Sequence, residues 1–410
     1  MGGEPLNSRL TSIAVALFLA LPAGGASAQG VGRNAGVAER ARPDFDPLGI
    51  RASSFLVYPS LSVLGTFNDN VFATDADTSS DFVTTVQPEV QVSSDWSRHA
   101  LNGRAYARFN RYLDNETLDA TTWGFSAAGD LDLASRGAAT GNLLFQREVQ
   151  PRTDPENPGG TEPSLFDRSK AALSYGRNFN RLITRTDADV ERISFVDATN
   201  QALDRTETRL AGRLGYQISP RLAGFVQPGY LWRRYDQAGP SGEDRGSREW
   251  SVLAGVAIEI RSLLVADIGV GYFRADFEAP GVEPTSGLAL SGTATWYPTE
   301  RLTASAGASR STQATRQEGL SSRVGTSVQV RADYELYRNV IVGAQFQYGI
   351  DEFEGLDRRD NVYGASARAR WLVNRNASVF LEAASLTRTS DAPGEGYTQN
   401  TITLGIRFQM

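Results

Sequence analysis

The chain ends in NTITLGIRFQM, residues 400–410, and this stretch decides the fold. Its apolar and polar residues alternate one by one, which is the period of a β-strand with one apolar and one polar face. The apolar positions are Ile402, Leu404, Ile406 and Phe408. Most chains end in a frayed tail. A patterned end therefore indicates a membrane barrel that needs its last strand for closure, because an open sheet edge in lipid would leave backbone groups without partners.

The composition narrows the class of protein. The 410 residues include 40 glycines, two methionines and no cysteine, and the formal net charge is −6. Without cysteine, disulfides cannot stabilise an exported chain. A mildly acidic chain is also a poor partner for nucleic acid, so none is predicted.

The first 28 residues have the pattern of an export signal. Arg9 precedes the apolar run IAVALFLAL (13–21), and Ala26-Ser27-Ala28 fits a signal-peptidase site. Nine apolar residues are too few to span a bilayer. We predict a Sec-type signal peptide at 1–28, a periplasmic N-terminal segment at 29–53 and a barrel at 54–410. Residues 29–53 are too short for the plug domain of a TonB-dependent transporter.

From residue 54 onward, short turns recur about every 40 residues, and longer polar loops lie midway between them. A β-propeller blade also repeats at about 40 residues, but it needs a turn about every ten. The pattern predicts an all-β, closed, antiparallel, up-and-down barrel of about eighteen strands. Sixteen strands is the alternative if 138–150 and 166–179 are loop excursions. The predicted runs are 54–67, 81–95, 98–112, 120–133, 138–150, 166–179, 182–196, 204–218, 221–235, 248–260, 263–276, 286–297, 301–313, 320–335, 339–352, 359–372, 377–389 and 397–409.

Alternation alone also suits a soluble β-sandwich. The tryptophans favour the barrel, because all of them lie near predicted strand ends, where the two aromatic girdles of a membrane barrel would lie. The predicted girdle residues are Trp96, Trp123, Trp232, Trp250, Trp296 and Trp371.

Charged residues in the middle of strands, on the polar face, need water or one another as partners. Such a wall either fills the barrel with ion pairs or lines a pore that discriminates among anions and polar solutes. The candidates for lining the lumen are Arg104, Arg108, Arg209, Arg213, Arg323, Arg331, Arg368, Arg370, Glu89, Asp130, Asp132, Glu249, Glu259 and Asp333.

Catalysis is poorly supported by the residues present. The single histidine, His99, lies in a short turn at the end opposite the long loops, and a cysteine nucleophile is impossible. We predict no catalytic residues, metal or cofactor.

Residues 62–112 resemble the start of the putative β-barrel porin 2 family. The resemblance rests on Asp69-Asn70-Val71-Phe72 after the first strand, Ser80-Asp81, Pro88 in the second strand, and a turn with Trp96 and Arg98-His99. It implies an integral outer-membrane protein, associated in several bacteria with export of exopolysaccharide or capsule, and polysaccharide-export components as partners.

We therefore expect an outer-membrane channel of a Gram-negative cell, accessory to polysaccharide secretion. The alternatives are a general diffusion porin for small polar solutes, a non-conducting surface or adhesive barrel, and an outer-membrane hydrolase, which the position of His99 disfavours. Expected partners are outer-membrane lipid, lipopolysaccharide and the barrel assembly machinery. The oligomeric state stays open.

Overall fold

The computed structural model describes residues 35–133, 137–157, 159–239, 242–260, 263–315, 323–353 and 355–410. The predicted signal peptide and residues 29–34 lie outside the described residues. Among the described residues no helix is both long and apolar enough to cross a membrane.

The described chain folds into one antiparallel sheet of a short strand and eighteen long ones. Each predicted run corresponds to one long strand, with bounds that agree within three residues. The strands are β1 (Ile50–Ala52), β2 (Phe55–Asn68), β3 (Asp81–Ser94), β4 (Ala100–Tyr112), β5 (Ala120–Leu133), β6 (Gly137–Val149), β7 (Leu165–Phe179), β8 (Leu182–Phe195), β9 (Arg205–Ser219), β10 (Leu222–Tyr235), β11 (Ser247–Ile260), β12 (Leu264–Phe277), β13 (Thr285–Thr299), β14 (Leu302–Gln313), β15 (Arg323–Tyr337), β16 (Val340–Phe353), β17 (Arg358–Asn374), β18 (Ala377–Ser390) and β19 (Tyr397–Gln409). Two 3₁₀ helices, Glu116–Leu118 and Ala198–Leu203, lie in loops.

The sheet closes on itself because β19 pairs with β2. The register runs from Thr401 opposite Asn68 to Gln409 opposite Ser60. Every other long strand pairs with its sequence neighbours, so the prediction of a closed eighteen-stranded barrel is confirmed. The sixteen-strand alternative is wrong, since β6 and β7 pair with each other along their whole length and with β5 and β8.

The two ends of the barrel differ in the length of their connections. Most strands at one end are joined by two-residue turns, such as Asn180-Arg181 between β7 and β8. Asn180 has φ of 56°, a left-handed conformation that asparagine tolerates better than most residues. At the other end the connections are longer, up to the fifteen residues between β6 and β7. We call these the short-turn end and the long-loop end.

The two faces of the wall differ in polarity, as the alternation predicts. On β11, Trp250 and Val252 point outward and are exposed, whereas Glu249 points inward. Exposed Leu, Val, Ile and aromatic side chains recur on the outer face of strand after strand. An apolar belt of this extent would be costly in water, so the outer face is built for lipid.

Candidate functional site

The barrel interior contains a cavity of about 1660 Å³. Its border includes side chains from nearly every long strand, most of them polar. Nine of the predicted lumen residues border it: Arg104, Arg209, Arg213, Arg323, Arg331, Arg368, Asp130, Glu249 and Glu259.

Four other predicted lumen residues lie on the inner face without bordering this cavity. Asp333, for example, does not border the cavity because its partners cover it. Arg331 Nε donates to it at 2.8 Å and Arg368 Nη2 at 2.5 Å. These four residues are Glu89, Asp333, Arg108 and Arg370.

Asp132 is the exception, and its assignment to the lumen wall needs correction. It lies next to the last residue of β5, at the short-turn rim, where its side chain is 65% exposed and faces Arg98 at 3.8 Å. Its backbone N–H donates to Nδ1 of His99 at 3.3 Å. The alternation predicted the face of Asp132 correctly, but the residue lies so close to the end of β5 that its side chain is at the rim and not in the lumen. His99 lies at the same rim, away from the long loops.

Charges on β7–β10 form a connected network. Glu207 accepts hydrogen bonds from Arg205 at 3.0 Å, from Arg233 at 3.2 Å and from Arg209. Glu191 adds ion pairs with Arg168, Lys170 and Arg209 at 3.2–3.4 Å. Each of these cations pairs with at least one carboxylate, which keeps the wall hydrated and rigid rather than strongly selective for one sign.

Several charges of the inner wall were missed by reasoning from the sequence. They lie on the face that alternation assigns inward, so strand parity applied to every run was the signal that would have found them. They are Arg168, Lys170, Arg185, Arg205, Glu207, Arg233, Asp267, Arg310, Asp351, Arg388 and Arg407.

The loop between β6 and β7 crosses the lumen. We call residues 150–157 and 159–164 the crossing loop. Glu156 lies 3.6 Å from Nε of Arg323 on β15, on the far side of the barrel. The hydroxyl of Tyr397 on β19 donates to the Thr153 carbonyl at 3.3 Å. These contacts narrow the lumen at the long-loop end.

The chain before β1 narrows the lumen at the short-turn end. We call residues 35–49 the N-terminal segment. Val37 is fully buried against Ile341 and Leu372 of the inner wall, and Phe45 packs on the same cluster. The Val37 backbone N–H donates to Oγ1 of Thr303 at 2.9 Å. The segment has no core of its own and uses the barrel wall instead.

Arg42 anchors the N-terminal segment further. Its Nη2 donates to the Val37 carbonyl at 2.7 Å and to Oε2 of Glu335 at 3.0 Å. Arg375, in the turn after β17, donates to the Pro43 carbonyl at 2.8 and 3.0 Å. The segment is therefore held by four neighbouring strands, β14–β17.

The residues that carry the family resemblance hold the first loop onto the seam where β19 meets β2. Asn70 is almost fully buried, and its Nδ2 donates to the carbonyls of Thr74 at 2.8 Å and Thr398 at 2.9 Å. Asp69 accepts from the backbone and side chain of Asn400 at 2.6 and 2.7 Å. Val71 is buried beside them, and the ring of Phe72 faces Arg152 of the crossing loop at 6.0 Å. The motif therefore acts as a clasp that joins the loop after β2 to the last strand, β19.

Replacing Asn70 with alanine is expected to lower the free energy of unfolding by about 1–3 kcal/mol, because the partly buried carbonyls of Thr74 and Thr398 lose their donor. Urea unfolding of the barrel in lipid vesicles measures the change. The matched control is Asn142→Ala, since Asn142 borders the cavity and makes no side-chain hydrogen bond with any described residue. Equal effects of the two substitutions would contradict the role of Asn70 as a clasp.

The predicted girdle and closing residues all lie on the outer face. The six tryptophans are each between 41% and 51% exposed. Three lie toward the long-loop end (Trp123, Trp232, Trp250) and three toward the short-turn end (Trp96, Trp296, Trp371). On β19, the outward-facing residues are Ile402, Leu404, Ile406 and Phe408.

Three solved structures resemble this fold at low sequence identity, and one of them, OpdK, is described as an outer membrane protein. OpdL of Pseudomonas aeruginosa is 11% identical, with 88% of this chain and 99% of that chain covered and a TM-score of 0.44. OpdK of the same organism is 10% identical, with 86% and 99% covered and a TM-score of 0.46. OccAB3 of Acinetobacter baumannii is 9% identical, with 88% and 100% covered and a TM-score of 0.46.

The sequence comparisons identify the family. No curated protein sequence matches the chain. The model of the family described as Putative beta-barrel porin 2 matches residues 42–410, which include every strand described above. The chain is therefore an outer-membrane β-barrel of porin type and belongs to the family Putative beta-barrel porin 2.

Proposed function

We propose that this barrel is a passive channel for small polar solutes. The observation that carries the proposal is the narrowing of a charged, water-compatible cavity by two segments of the same chain. The N-terminal segment enters from the short-turn end and the crossing loop from the long-loop end. A barrel of eighteen strands is wide enough for an aqueous path, and inserted segments reduce that path to the size of small molecules.

Accessory function in polysaccharide export, which the family resemblance implies, stays a prediction. A polymer chain in transit would require both inserted segments to leave the lumen, whereas a small solute would pass beside them. The contacts of Val37 and Glu156 with the wall therefore favour the porin alternative.

The test is conductance and solute uptake by refolded residues 29–410. Planar bilayers give the single-channel conductance, and liposome swelling with neutral sugars of increasing size gives the size limit. We expect steady conductance steps and swelling with mono- and disaccharides but not with long oligosaccharides. A folded but silent barrel would contradict the proposal and favour a surface or adhesive role. Swelling that is independent of sugar length would favour polymer export.

Releasing the crossing loop is expected to widen the channel moderately. Tyr397→Phe removes the hydrogen bond to Thr153, and Glu156→Gln removes the charge that faces Arg323. We expect the double variant to show noisier open-channel current and uptake of larger sugars. The control is Tyr272→Phe, because Tyr272 is exposed on the outer face of β12 and does not border the cavity. An unchanged size limit in the double variant would show that the loop does not limit passage.

A further inference from the structure

One part of the inner wall departs from the network on β7–β10, where each cation has a carboxylate partner. We call Arg104, Arg108, Arg370 and Arg407 the arginine cluster. These residues lie on the inner faces of β4, β17 and β19, and Glu89 on β3 lies among them. Arg370 is within electrostatic range of Arg407 and also of Arg42 from the N-terminal segment. The cluster therefore spans the wall where the barrel closes and reaches the N-terminal segment.

A single carboxylate serves two of these arginines. Glu89 accepts from Arg104 Nη2 at 2.7 Å and from Arg407 Nη2 at 3.1 Å. Its oxygens also accept from the amides of Gln87 at 3.1 Å and Gln91 at 2.6 Å. With four donors already on it, Glu89 has little capacity left for a further cation.

The remaining arginines of the cluster, Arg108 and Arg370, form no ion pair with any described residue. Arg108 Nε donates to the neutral Oε1 of Gln87 at 2.9 Å. Two acids lie nearby without forming ion pairs with these arginines: Glu148, near Arg108, pairs with Arg168 at 3.3 Å, and Asp46, near Arg370, accepts the backbone N–H of Arg42. The cluster thus has an excess of positive charge.

Arg407 shows most directly that an acceptor is missing. It is 94% buried, since its exposed fraction is 6%. Only Nη2 is used, by Ser60 and Glu89, while Nε and Nη1 are buried without a hydrogen-bond partner. A guanidinium carries five N–H donors, and leaving buried donors of a charged group unpaired is costly. Nε of Arg42 is also buried without a partner.

We propose that the arginine cluster is a binding site for an oxyanion, a carboxylate or phosphate group of a solute that approaches from the cavity beside Arg104, the one member of the cluster that borders it. Arginine is suited to this ligand, because its planar array of N–H donors matches the oxygens of carboxylate and phosphate groups. This site rests on the proposed channel function and gives it a substrate class: small anionic solutes, which the cluster concentrates at the wall.

Binding is tested separately from conduction. Isothermal titration of refolded residues 29–410 in neutral detergent uses inorganic phosphate as the probe, with glucose as the uncharged comparison. We expect phosphate to bind and glucose to give no heat above dilution. In Arg370→Gln/Arg407→Gln, phosphate binding is expected to weaken by about tenfold or more, since each lost charged hydrogen bond is worth over 1.4 kcal/mol.

Two further variants keep the test decisive. Arg213→Gln removes the same kind of charge from a site where Asp267 already pairs with the arginine, so phosphate binding should be unchanged. Arg407→Lys keeps the charge but loses the planar donor array. It replaces the glutamine variant in the binding test if that variant does not fold. Heat-modified gel mobility shows whether each variant has folded. Binding by Arg407→Lys that equals the wild type, or equal loss in Arg213→Gln, would overturn the site.

Bilayer recordings in a salt gradient then separate the two proposals. We expect an anion-selective reversal potential that moves toward zero in Arg370→Gln/Arg407→Gln. A conducting channel that binds no phosphate would overturn the oxyanion site and leave the channel function standing. A silent barrel that binds phosphate would overturn the channel function and leave the site standing. Binding heat that persists unchanged in every variant would come from an adventitious ion only and would overturn the site.

Discussion

Removing the N-terminal segment is expected to raise single-channel conductance on the order of twofold, because conductance follows the narrowest cross-section of the pore. A chain that begins at residue 50 retains β1 and all the barrel strands but lacks Val37, Arg42 and Phe45. These side chains occupy the inner face of β14–β17 at the short-turn end. Planar bilayer recordings of the refolded truncated chain measure the change.

A reversible crosslink provides the matched control for this truncation. The chain has no cysteine, so Val37→Cys/Ile341→Cys creates one pair of thiols between residues that pack together. We expect the oxidised form to hold the low conductance of the full chain and to show few openings to a higher level. Reduction should restore any such openings. A truncated chain with the conductance of the full chain would show that the segment does not narrow the path.

Replacing Leu404 with arginine is expected to reduce the free energy of unfolding in a bilayer by about 2–4 kcal/mol, the cost of a cation on the lipid face near the membrane midplane. Leu404 lies in the middle of β19 and is 57% exposed on the outer face. Because β19 closes the barrel against β2, the penalty falls on the seam itself. Urea unfolding in lipid vesicles measures it.

The control for this substitution is Leu404→Ala, which removes the same apolar contacts without adding a charge. We expect it to cost clearly less than the arginine variant. Equal costs for alanine and arginine would mean that Leu404 does not face lipid, and the assignment of the two faces would then be wrong.

The strands could be predicted from the sequence because alternation is a local property. A period of two identifies both the strand and its faces, and Ile402, Leu404, Ile406 and Phe408 show it without reference to any other part of the chain. The same reasoning placed Arg104 and Glu249 on the inner face. It did not place Asp132 at the rim, because periodicity does not say how far a residue at a strand end lies from the rim.

Contacts inside the lumen could not be predicted in this way. Whether Glu156 meets Arg323 depends on the diameter and tilt of the closed barrel, which bring β15 within reach of the loop after β6. The position of Val37 also depends on the closed barrel. Residues 29–53 have few large apolar side chains, and nothing in their sequence indicates which part of the wall buries Val37. The predicted signal peptide and the partners stay predictions.

The sequence by itself determined the class of fold, the strand number within two, the polarity of each face and the positions of the aromatic residues. These follow from hydrogen-bond periodicity and from the need to separate lipid from water. Only the tertiary structure decided which charges are paired and which are not. Arg213 and Arg370 both belong to inward-facing strand positions, yet Asp267 reaches one of them and no described acid pairs with the other. That difference depends on distances across several strands, and it is what distinguishes a neutral wall from an oxyanion site.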